Sequence, residues 1–125
     1  MQIDGACPFC SLPPEKLLAA NACAAAFLDV HPAAEGHALV IPNRHVASLF
    51  DLKEPERAEI WEFVRMVCQI LVERFHPDGF TIYLNDEEAA DQAVVHAHIH
   101  VVPRHKNQID PRSPDQALAL SAPHA

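Results

Sequence analysis

Apolar residues recur every three or four positions between Pro55 and Phe75, which is typical of an amphipathic helix with one face on a core. The repeating set is Ile60, Val64, Val67, Leu71 and Phe75, and Trp61 and Ile70 widen the stripe. Proline is tolerated only in the first helical turn. The pattern therefore predicts a helix that begins near 53–55 and ends before His76-Pro77-Asp78-Gly79.

A second pattern is the alternation of histidine with apolar residues between Val94 and Val102. Period-two alternation predicts a strand whose successive side chains point to opposite faces. The residues expected on the core face are Val95, Ala97, Ile99 and Val101. The residues expected on the other face are His96, His98 and His100. Three histidines packed together cannot all be charged, so neighbours or a metal must control their protonation, and we interpret this face as a site.

The remaining apolar segments predict shorter strands. We expect two strands around a turn at Asn21, the second at about 24–30, while a single Ala-rich helix is an alternative that the periodicity leaves open. Segments 37–41 and 80–84 predict two further strands. Since a loop of about nine residues joins 80–84 to 94–102, these two strands should be antiparallel. The predicted fold class is α+β, an antiparallel sheet with one long helix packed on it.

Length and charge limit the organisation and the partners. The 125 residues fit one domain, which we place at 1–105, followed by a polar, Pro-rich C-terminal tail at 106–125. A net charge of −8 without a Lys/Arg cluster argues against a nucleic-acid partner. The N-terminal residues lack the regions of a signal peptide, and no apolar run reaches membrane-spanning length. We therefore expect a cytoplasmic protein without a membrane partner.

The pair Cys7 and Cys10 is the clearest metal signal. In a reducing compartment this spacing indicates metal or thiol redox chemistry, and no βαβ pattern surrounds it to favour the redox alternative. Two thiolates at this spacing can reach one zinc ion, and two histidines would complete a Cys₂His₂ site. The candidates are His45, after the strand at 37–41, and His96 at one end of the histidine strand. Four protein ligands would make this zinc structural.

These motifs together resemble those of the histidine-triad (HIT) family. The similarity is strongest in the HAHIHVV segment of 96–102, and it includes CPFC at 7–10, FLD at 27–29 and GHALVIP at 36–42. It also includes Arg44-His45, Asn85, Gln92 and Pro103-Arg104, and it covers about residues 5 to 105. The chain resembles in particular bacterial HIT hydrolases of the diadenosine-polyphosphate and nucleoside-phosphoramidate type.

The resemblance implies a homodimer with an extended sheet and a reaction at the α-phosphate of a nucleotide. The middle histidine, His98, would attack phosphorus, and water would then hydrolyse the nucleotidyl-histidine intermediate. His100 would donate a hydrogen bond to the phosphate, and His37 would be a further histidine of the site. The resemblance also assigns structural zinc to Cys7, Cys10, His45 and His96, in agreement with the spacing argument.

The resemblance further assigns the substrate contacts. Asp29 would hold the ribose hydroxyls. Phe9, Phe27 and Val30 would line the base pocket, and Asn85 and Gln92 would contact the phosphate or the leaving group. Without the triad, each of these residues would be interpreted as an ordinary turn or core residue.

The segment 85–94 departs from the family pattern, because Glu87 and Asp91 replace two glycines and Ala93 replaces a hydroxyl residue. Its carboxylates would repel an anionic phosphate if they point inward, so we expect weak activity on the usual dinucleotides. Two alternatives stay open. Besides the hydrolase, the chain could be a HIT scaffold that binds a nucleotide with little turnover, or a metalloenzyme in which the triad itself forms a catalytic His₃ zinc site.

Overall fold

Residues 7–86, 92 and 94–106 are described by a computed structural model, and within them five strands and one α-helix form the fold. The strands are β1 (Leu17–Ala20), β2 (Ala24–Leu28), β3 (Ala38–Pro42), β4 (Gly79–Tyr83) and β5 (Ile99–Arg104). The helix, α1, runs over Glu54–Phe75, and short 3₁₀ turns cover Pro14–Lys16 and Leu49–Asp51. The α+β prediction is confirmed, and 16–30 forms two strands instead of the alternative Ala-rich helix.

The strands form a single antiparallel sheet in the order β1-β2-β3-β5-β4. All five residues of β3 are buried, because α1 packs on one face of the sheet and the histidine-bearing face is covered by the N-terminal segment. Double burial explains why β3 is continuously apolar and lacks a polar alternation. The predicted antiparallel pairing of the last two strands is confirmed, with Tyr83 opposite His100.

Helix α1 begins and ends at specific side-chain contacts. At its start, the backbone N–H of Lys53 donates to the Glu56 carboxylate at 2.8 Å. At its end, His76 adopts a left-handed conformation with φ 51°. The Phe75 ring then lies against Gly36, whose φ is +85°, and a Cβ at Gly36 would be only 2.8 Å from the ring. This contact joins the helix end to the loop that leads into β3.

Most of the predicted helical stripe is buried, but Trp61 is exposed, and Ile70 and Phe75 are only half-buried. Ile60, Val64, Val67 and Leu71 are buried, but Trp61 is 47% exposed, and Phe63 is buried in its place. Consecutive helical residues are rotated by about 100°, so Trp61 lies well to one side of a stripe centred on Ile60. Phe63 lies on the opposite flank of that stripe and reaches the sheet.

The histidine strand begins later than its alternation suggests. Regular pairing starts at Ile99 instead of Val94, and Val95 is 66% exposed, not in the core. The reason is local: the N–H of His96 bonds to the Val94 carbonyl at 2.8 Å, and the N–H of Ala97 bonds to Val46 at 2.7 Å. These bonds bend the backbone out of the sheet ladder. Ala97, Ile99 and Val101 still reach the core as predicted.

Within the described residues, no helix is long and apolar enough to cross a membrane. The proposed tail from residue 107 onward lies outside the described residues, as do Glu87, Glu88, Asp91 and Ala93. The expectation about the acidic loop therefore stays a prediction.

Candidate active site and metal cluster

The candidate site lies on the sheet face opposite α1. A small apolar cluster of Ala25, Phe27, Leu39 and Ile41 forms its floor, and Phe9, Leu12 and Leu17 pack on it. Phe9 meets the ring of Phe27 edge-on, with centroids 5.1 Å apart. The N-terminal segment is thereby held against the strands that carry the histidines.

Four residues converge at one end of this face: Cys7, Cys10, His45 and His96. One ligand-type atom of each lies within 4.8 Å of the others. The Cys10 thiol is 3.1 Å from His45 Nδ1, and the Cys7 thiol is 3.4 Å from His96 Nδ1. Two sulfur and two imidazole ligands form the donor set that zinc prefers in closed, four-coordinate sites. The structure thus brings together the four residues that the sequence predicts as metal ligands.

A backbone carbonyl fixes the orientation of His96. Its Nε2–H donates to the carbonyl of Pro42 at 2.9 Å, so the lone pair on Nδ1 faces the two thiols and His45. Burial lowers the pKa of His96, which favours the neutral ring that a metal ligand requires. An imidazole tethered by its second nitrogen is the usual arrangement of a metal-binding histidine.

An ion pair that the sequence does not predict lies beside His45 in the chain. Arg44 forms two bonds to the Glu56 carboxylate, Nη2 to Oε1 at 2.8 Å and Nε to Oε2 at 3.1 Å. The hydrogen bond from Arg44 and that from the backbone of Lys53 lower the pKa of Glu56 to about 2. Arg44 therefore ties the exit of β3 to the start of α1. In the sequence, this ion pair is indicated only by an arginine directly after a predicted strand and a glutamate in the first turn of the predicted helix.

His98 is buried and uses its ring differently. Its Nδ1–H donates to the carbonyl of His96 at 2.7 Å, which leaves the lone pair on Nε2. The bend before β5 places the carbonyl of residue 96 within hydrogen-bond reach of the ring nitrogen two residues later. Phe9 contacts the ring edge-on, with centroids 5.2 Å apart. The apolar contact and the carbonyl together hold the ring in one orientation, with Nδ1 bonded to the backbone and Nε2 on the other side of the ring.

His37, His100 and Asp29 form a second convergent group. The backbone N–H of Ala33 donates to His37 Nδ1 at 2.9 Å, so the proton of His37 is on Nε2. That nitrogen lies 2.9 Å from His100 Nδ1 and 3.5 Å from a carboxylate oxygen of Asp29. His37 therefore donates to His100, whose own proton must be on Nε2.

The environment of His100 keeps its ring neutral. Burial, followed by the proximity of His98 and His37, lowers its pKa to about 4, against an opposing effect of Asp29. Tyr83, from the adjacent strand β4, stacks on the ring with centroids 4.3 Å apart and an angle of 4° between the planes. Tyr83 has no sequence signal for this position, because its contact with His100 depends on the register of β4 on β5.

The other predicted substrate residues occupy varied positions. Asp29 accepts a bond from the N–H of His31 at 3.0 Å, so its carboxylate is held at the end of β2. Val30 is 83% exposed, and Asn85 is half-buried just beyond β4. The amide of Gln92 donates to the carbonyl of Ala47 at 2.7 Å. Of the predicted base-pocket residues, Phe9 contacts His96 and His98 and Phe27 packs on Phe9, whereas Val30 is largely exposed.

The three triad histidines do not converge on one point. Among the described residues, the groups that could hold a metal are the cluster with His96 and the cluster with His100, and His98 belongs to neither. His96 faces the thiols, while His98 and His100 face elsewhere. The alternative of a catalytic His₃ zinc site therefore has no support in this geometry.

Comparison with known proteins gives consistent matches. The HIT domain model matches residues 13–107. An adenosine 5'-monophosphoramidase of Schizosaccharomyces pombe is 32% identical over 91% of this chain and 92% of its own length. A bis(5'-nucleosyl)-tetraphosphatase (asymmetrical) of the same species is 39% identical over 66% of this chain, but only 45% of its own length is covered.

Two solved structures are similar over most of the chain. A zinc-bound histidine triad family protein from Mycobacterium smegmatis is 31% identical, with a TM-score of 0.78 over 94% of this chain and 89% of that one. A HIT family member from Bacillus subtilis superposes with a TM-score of 0.74 over 95% of this chain at 24% identity, which shows a common fold. The family match over most of the chain, the shared fold and the histidine geometry lead to one conclusion: this chain belongs to the HIT family.

Proposed function

We propose that the chain is a nucleotide hydrolase or transferase that attacks the α-phosphate of a nucleotidyl conjugate through His98. The relatives with matching domains are named as an adenosine phosphoramidase and as dinucleoside polyphosphate hydrolases, which supports nucleotide phosphorus chemistry. We favour the phosphoramidase type, because that relative is matched over nearly its whole length, whereas this chain spans about half of the two polyphosphate hydrolases.

The observation that carries the proposal is the hydrogen bond from His98 Nδ1–H to the carbonyl of His96. A nucleophilic imidazole must be neutral and must have its free nitrogen directed at the substrate. The carbonyl fixes the proton on Nδ1, so Nε2 carries the attacking lone pair. Attack forms an Nε2–P bond and expels the leaving group, and water then attacks the same phosphorus and returns Nε2.

His100 and His37 would bind the phosphate. Because His37 donates to Nδ1 of His100, the proton on His100 Nε2 is available for a non-bridging phosphate oxygen. Phosphoryl-type transfer depends mainly on positioning and on hydrogen-bond donors for these oxygens. A neutral His100 can donate this bond without being consumed as an acid. The acidic residues of the preceding loop would weaken binding of highly charged dinucleotides, in line with the sequence expectation.

The nucleoside would occupy the apolar floor beside these histidines. Phe9 and Phe27 offer ring surface to a base, Asp29 would accept from the ribose hydroxyls, and Val30 would cover the pocket from its exposed position. Asn85 and Gln92 would approach the phosphate or leaving group. For Gln92 this requires exchange of its bond to Ala47.

The four-residue cluster would hold structural zinc through Cys7, Cys10, His45 and His96. Bound there, zinc supplies folding free energy, because four protein ligands leave no open position for substrate. His96 thereby links the N-terminal segment to the turn that carries His98. We place no step of the reaction on this metal.

We also propose a cytoplasmic homodimer in which β4 pairs with its copy to extend the sheet. Strand β4 is an edge strand, and its Ile82 is 42% exposed. Unpaired edges are usually covered. Sedimentation of the pure protein tests this assembly, and a monomer at all concentrations would contradict it.

A quenched single-turnover experiment tests the function. The enzyme is mixed in excess with adenosine 5'-phosphoramidate labelled in its α-phosphorus, and acid-labile label on protein is measured at short times. We expect label on the parent protein and none on His98→Asn, whose amide can still donate to the carbonyl of His96 but has no nucleophilic nitrogen. The change should lower kcat by at least about a thousandfold.

The matched control is His76→Asn at the end of α1. His76 is exposed and left-handed, a conformation that asparagine tolerates well, so this variant should label and turn over like the parent. Turnover of His98→Asn at the parent rate would refute the assignment. Tight nucleotide binding without label or product in the parent would instead establish the binding-scaffold alternative.

A further inference from the structure

The two cysteines of the four-residue cluster are placed to bond to each other as well as to a metal. Their Sγ atoms lie within 4.8 Å of one another. The backbone N–H of Cys10 donates to the carbonyl of Cys7 at 3.2 Å, which closes a tight turn. Such a turn brings its first and fourth Cα atoms within about 7 Å, and disulfides usually span about 4.4–6.8 Å between Cα atoms. The turn therefore accommodates a disulfide with only local adjustment.

The two thiols differ in their access to small molecules. Cys10 is half-buried, whereas Cys7 is only 7% exposed. Cys10 and His45 also line a surface cavity of about 480 Å³. A small oxidant in this cavity would meet Cys10 first, and the buried Cys7 would then be reached from Cys10.

We propose that Cys7 and Cys10 form a reversible oxidation site for peroxide, and that their disulfide dismantles the metal cluster. The Cys10 sulfur attacks one oxygen of hydrogen peroxide, which cleaves the O–O bond, forms a sulfenic acid and releases the first water. The Cys7 sulfur then attacks the Cys10 sulfur, forms the S–S bond and releases the second water. The two thiols together lose two hydrogens and two electrons, and one peroxide is reduced to two waters.

The disulfide removes both sulfur donors from the cluster. Only His45 and His96 of the four residues then keep a lone pair for a metal. Two imidazoles do not make the closed, four-coordinate site that structural zinc requires. The oxidised cluster should therefore release its ion, and reduction should restore the donor set.

The other two thiols are less suited to this reaction. Cys23 donates to the carboxylate of Glu59, and this hydrogen bond raises the pKa of Cys23. Burial raises the pKa of Cys68. A raised pKa lowers the fraction of thiolate, the form that attacks peroxide, so both should react slowly. Oxidation should therefore be concentrated at the pair.

The disulfide also changes how the N-terminal segment is held. Phe9 lies between the two cysteines, and its ring contacts those of His96 and His98, with centroids 5.9 and 5.2 Å away. In the oxidised protein the turn is bonded only to itself, and Phe9 and Leu12 keep the segment in place through apolar contacts alone. The oxidised protein should therefore melt at the temperature of chelator-treated protein, below that of the reduced, metal-bound protein.

Treatment of the full chain with hydrogen peroxide is the experiment. Protein that carries one zinc per chain is oxidised near pH 7, and free thiols, released zinc and melting temperature are followed together. A zinc-binding dye reports the released ion, and mass spectrometry of a digest locates the disulfide. We expect a disulfide between Cys7 and Cys10, loss of the bound zinc on the same time course, and a lower melting temperature. Dithiothreitol with added zinc should reverse all three changes.

Single cysteine variants test the order of the two steps. Cys7→Ser has no second thiol to complete the disulfide, so peroxide should leave a sulfenic acid on Cys10 that dimedone traps. Cys10→Ser should give much less adduct on the buried Cys7. Because both changes also remove a metal ligand, the adduct is the readout and not the zinc. Cys23→Ser is the matched control, and it should form the disulfide and release zinc at the parent rate.

The outcomes decide the proposal without any measurement of hydrolase activity. Unreacted Cys7 and Cys10, a disulfide that includes Cys23 or Cys68, or zinc retained by the oxidised protein would each overturn it. The same disulfide in protein that never held zinc would support the oxidation site and refute the structural zinc. Failure of the proposed hydrolase function would leave all of these results unchanged.

Discussion

Each triad histidine uses one of its two ring nitrogens in a hydrogen bond within the protein, and this bond decides which nitrogen faces the site. His96 and His98 donate to backbone carbonyls through opposite nitrogens, so one offers Nδ1 to the thiols and the other offers Nε2 to the cleft. His100 instead accepts from His37 and retains a donor on Nε2. Three identical side chains thereby become a metal ligand, a nucleophile and a phosphate donor in our proposal.

The stacked ring of Tyr83 should act as a positioning residue for His100. Tyr83→Leu removes the parallel ring contact but retains an apolar side chain in β4. We expect kcat to fall about threefold to tenfold with little change in KM, because a stacked aromatic pair is worth about 0.5–1.5 kcal/mol. Tyr83→Phe retains the ring and should behave like the parent. A Phe variant as impaired as the Leu variant would show that the hydroxyl, and not stacking, matters.

The neutral state of His100 should make folding stability depend on pH. Its pKa is lowered by burial, from about 6.5 to about 4, so between these values the unfolded chain binds more protons than the folded protein. The free energy of unfolding should therefore fall as the pH falls from about 6.5 to 4. His100→Gln should show a shallower decline of melting temperature over this window at the same metal content. An unchanged slope would contradict the assignment.

At the scale of elements, periodicity predicts the helix and most of the strands but not where the histidine strand starts. The alternation of apolar residues and histidine continues through 94–98, yet the N–H of Ala97 bonds to Val46, which is distant in sequence. A local pattern carries no information on that contact. The register that brings Tyr83 onto His100 is equally non-local. The motif residues of the metal cluster were predictable because cysteine spacing and family resemblance both indicate them.

The close approach of α1 to the loop before β3 should be sensitive to one methyl group. Gly36→Ala would place Cβ 2.8 Å from the Phe75 ring at a φ of +85°. We expect a loss of about 1–3 kcal/mol in the free energy of unfolding, together with lower activity, since the same loop leads into His37.

Gly79→Ala is the control for this prediction, because a Cβ at Gly79 would have no atom within 4 Å. Chemical denaturation measures both variants. Equal stability of the two would mean that the Phe75 ring moves aside and that Gly36 is not required.

In the whole molecule, the two faces of the sheet have different roles. The face covered by α1 forms the larger core, while the opposite face carries the metal cluster at one end and the pair of His37 and His100 near the other. Phe9 and Leu12 hold the N-terminal segment on that face through apolar contacts. Zinc bound to Cys7 and Cys10, as proposed, would add a second anchor and help to keep Phe9 over His98.

Removal of the metal should therefore act on stability before it acts on chemistry. A strong chelator should lower the melting temperature by about 10 °C or more, because a loss of roughly 3 kcal/mol is enough for such a shift in a chain of this size. Cys7→Ser should lower the melting temperature by a similar amount without chelator. Adding chelator to this variant should then have no further effect. Cys23→Ser, which changes a thiol outside the cluster, should melt and respond like the parent. Below the melting temperature, activity per folded molecule should fall less than stability, since no ligand of the cluster touches phosphate in the proposed mechanism. Elemental analysis showing no metal in protein of full stability, or rapid loss of turnover without a change in melting temperature, would exclude a structural metal here.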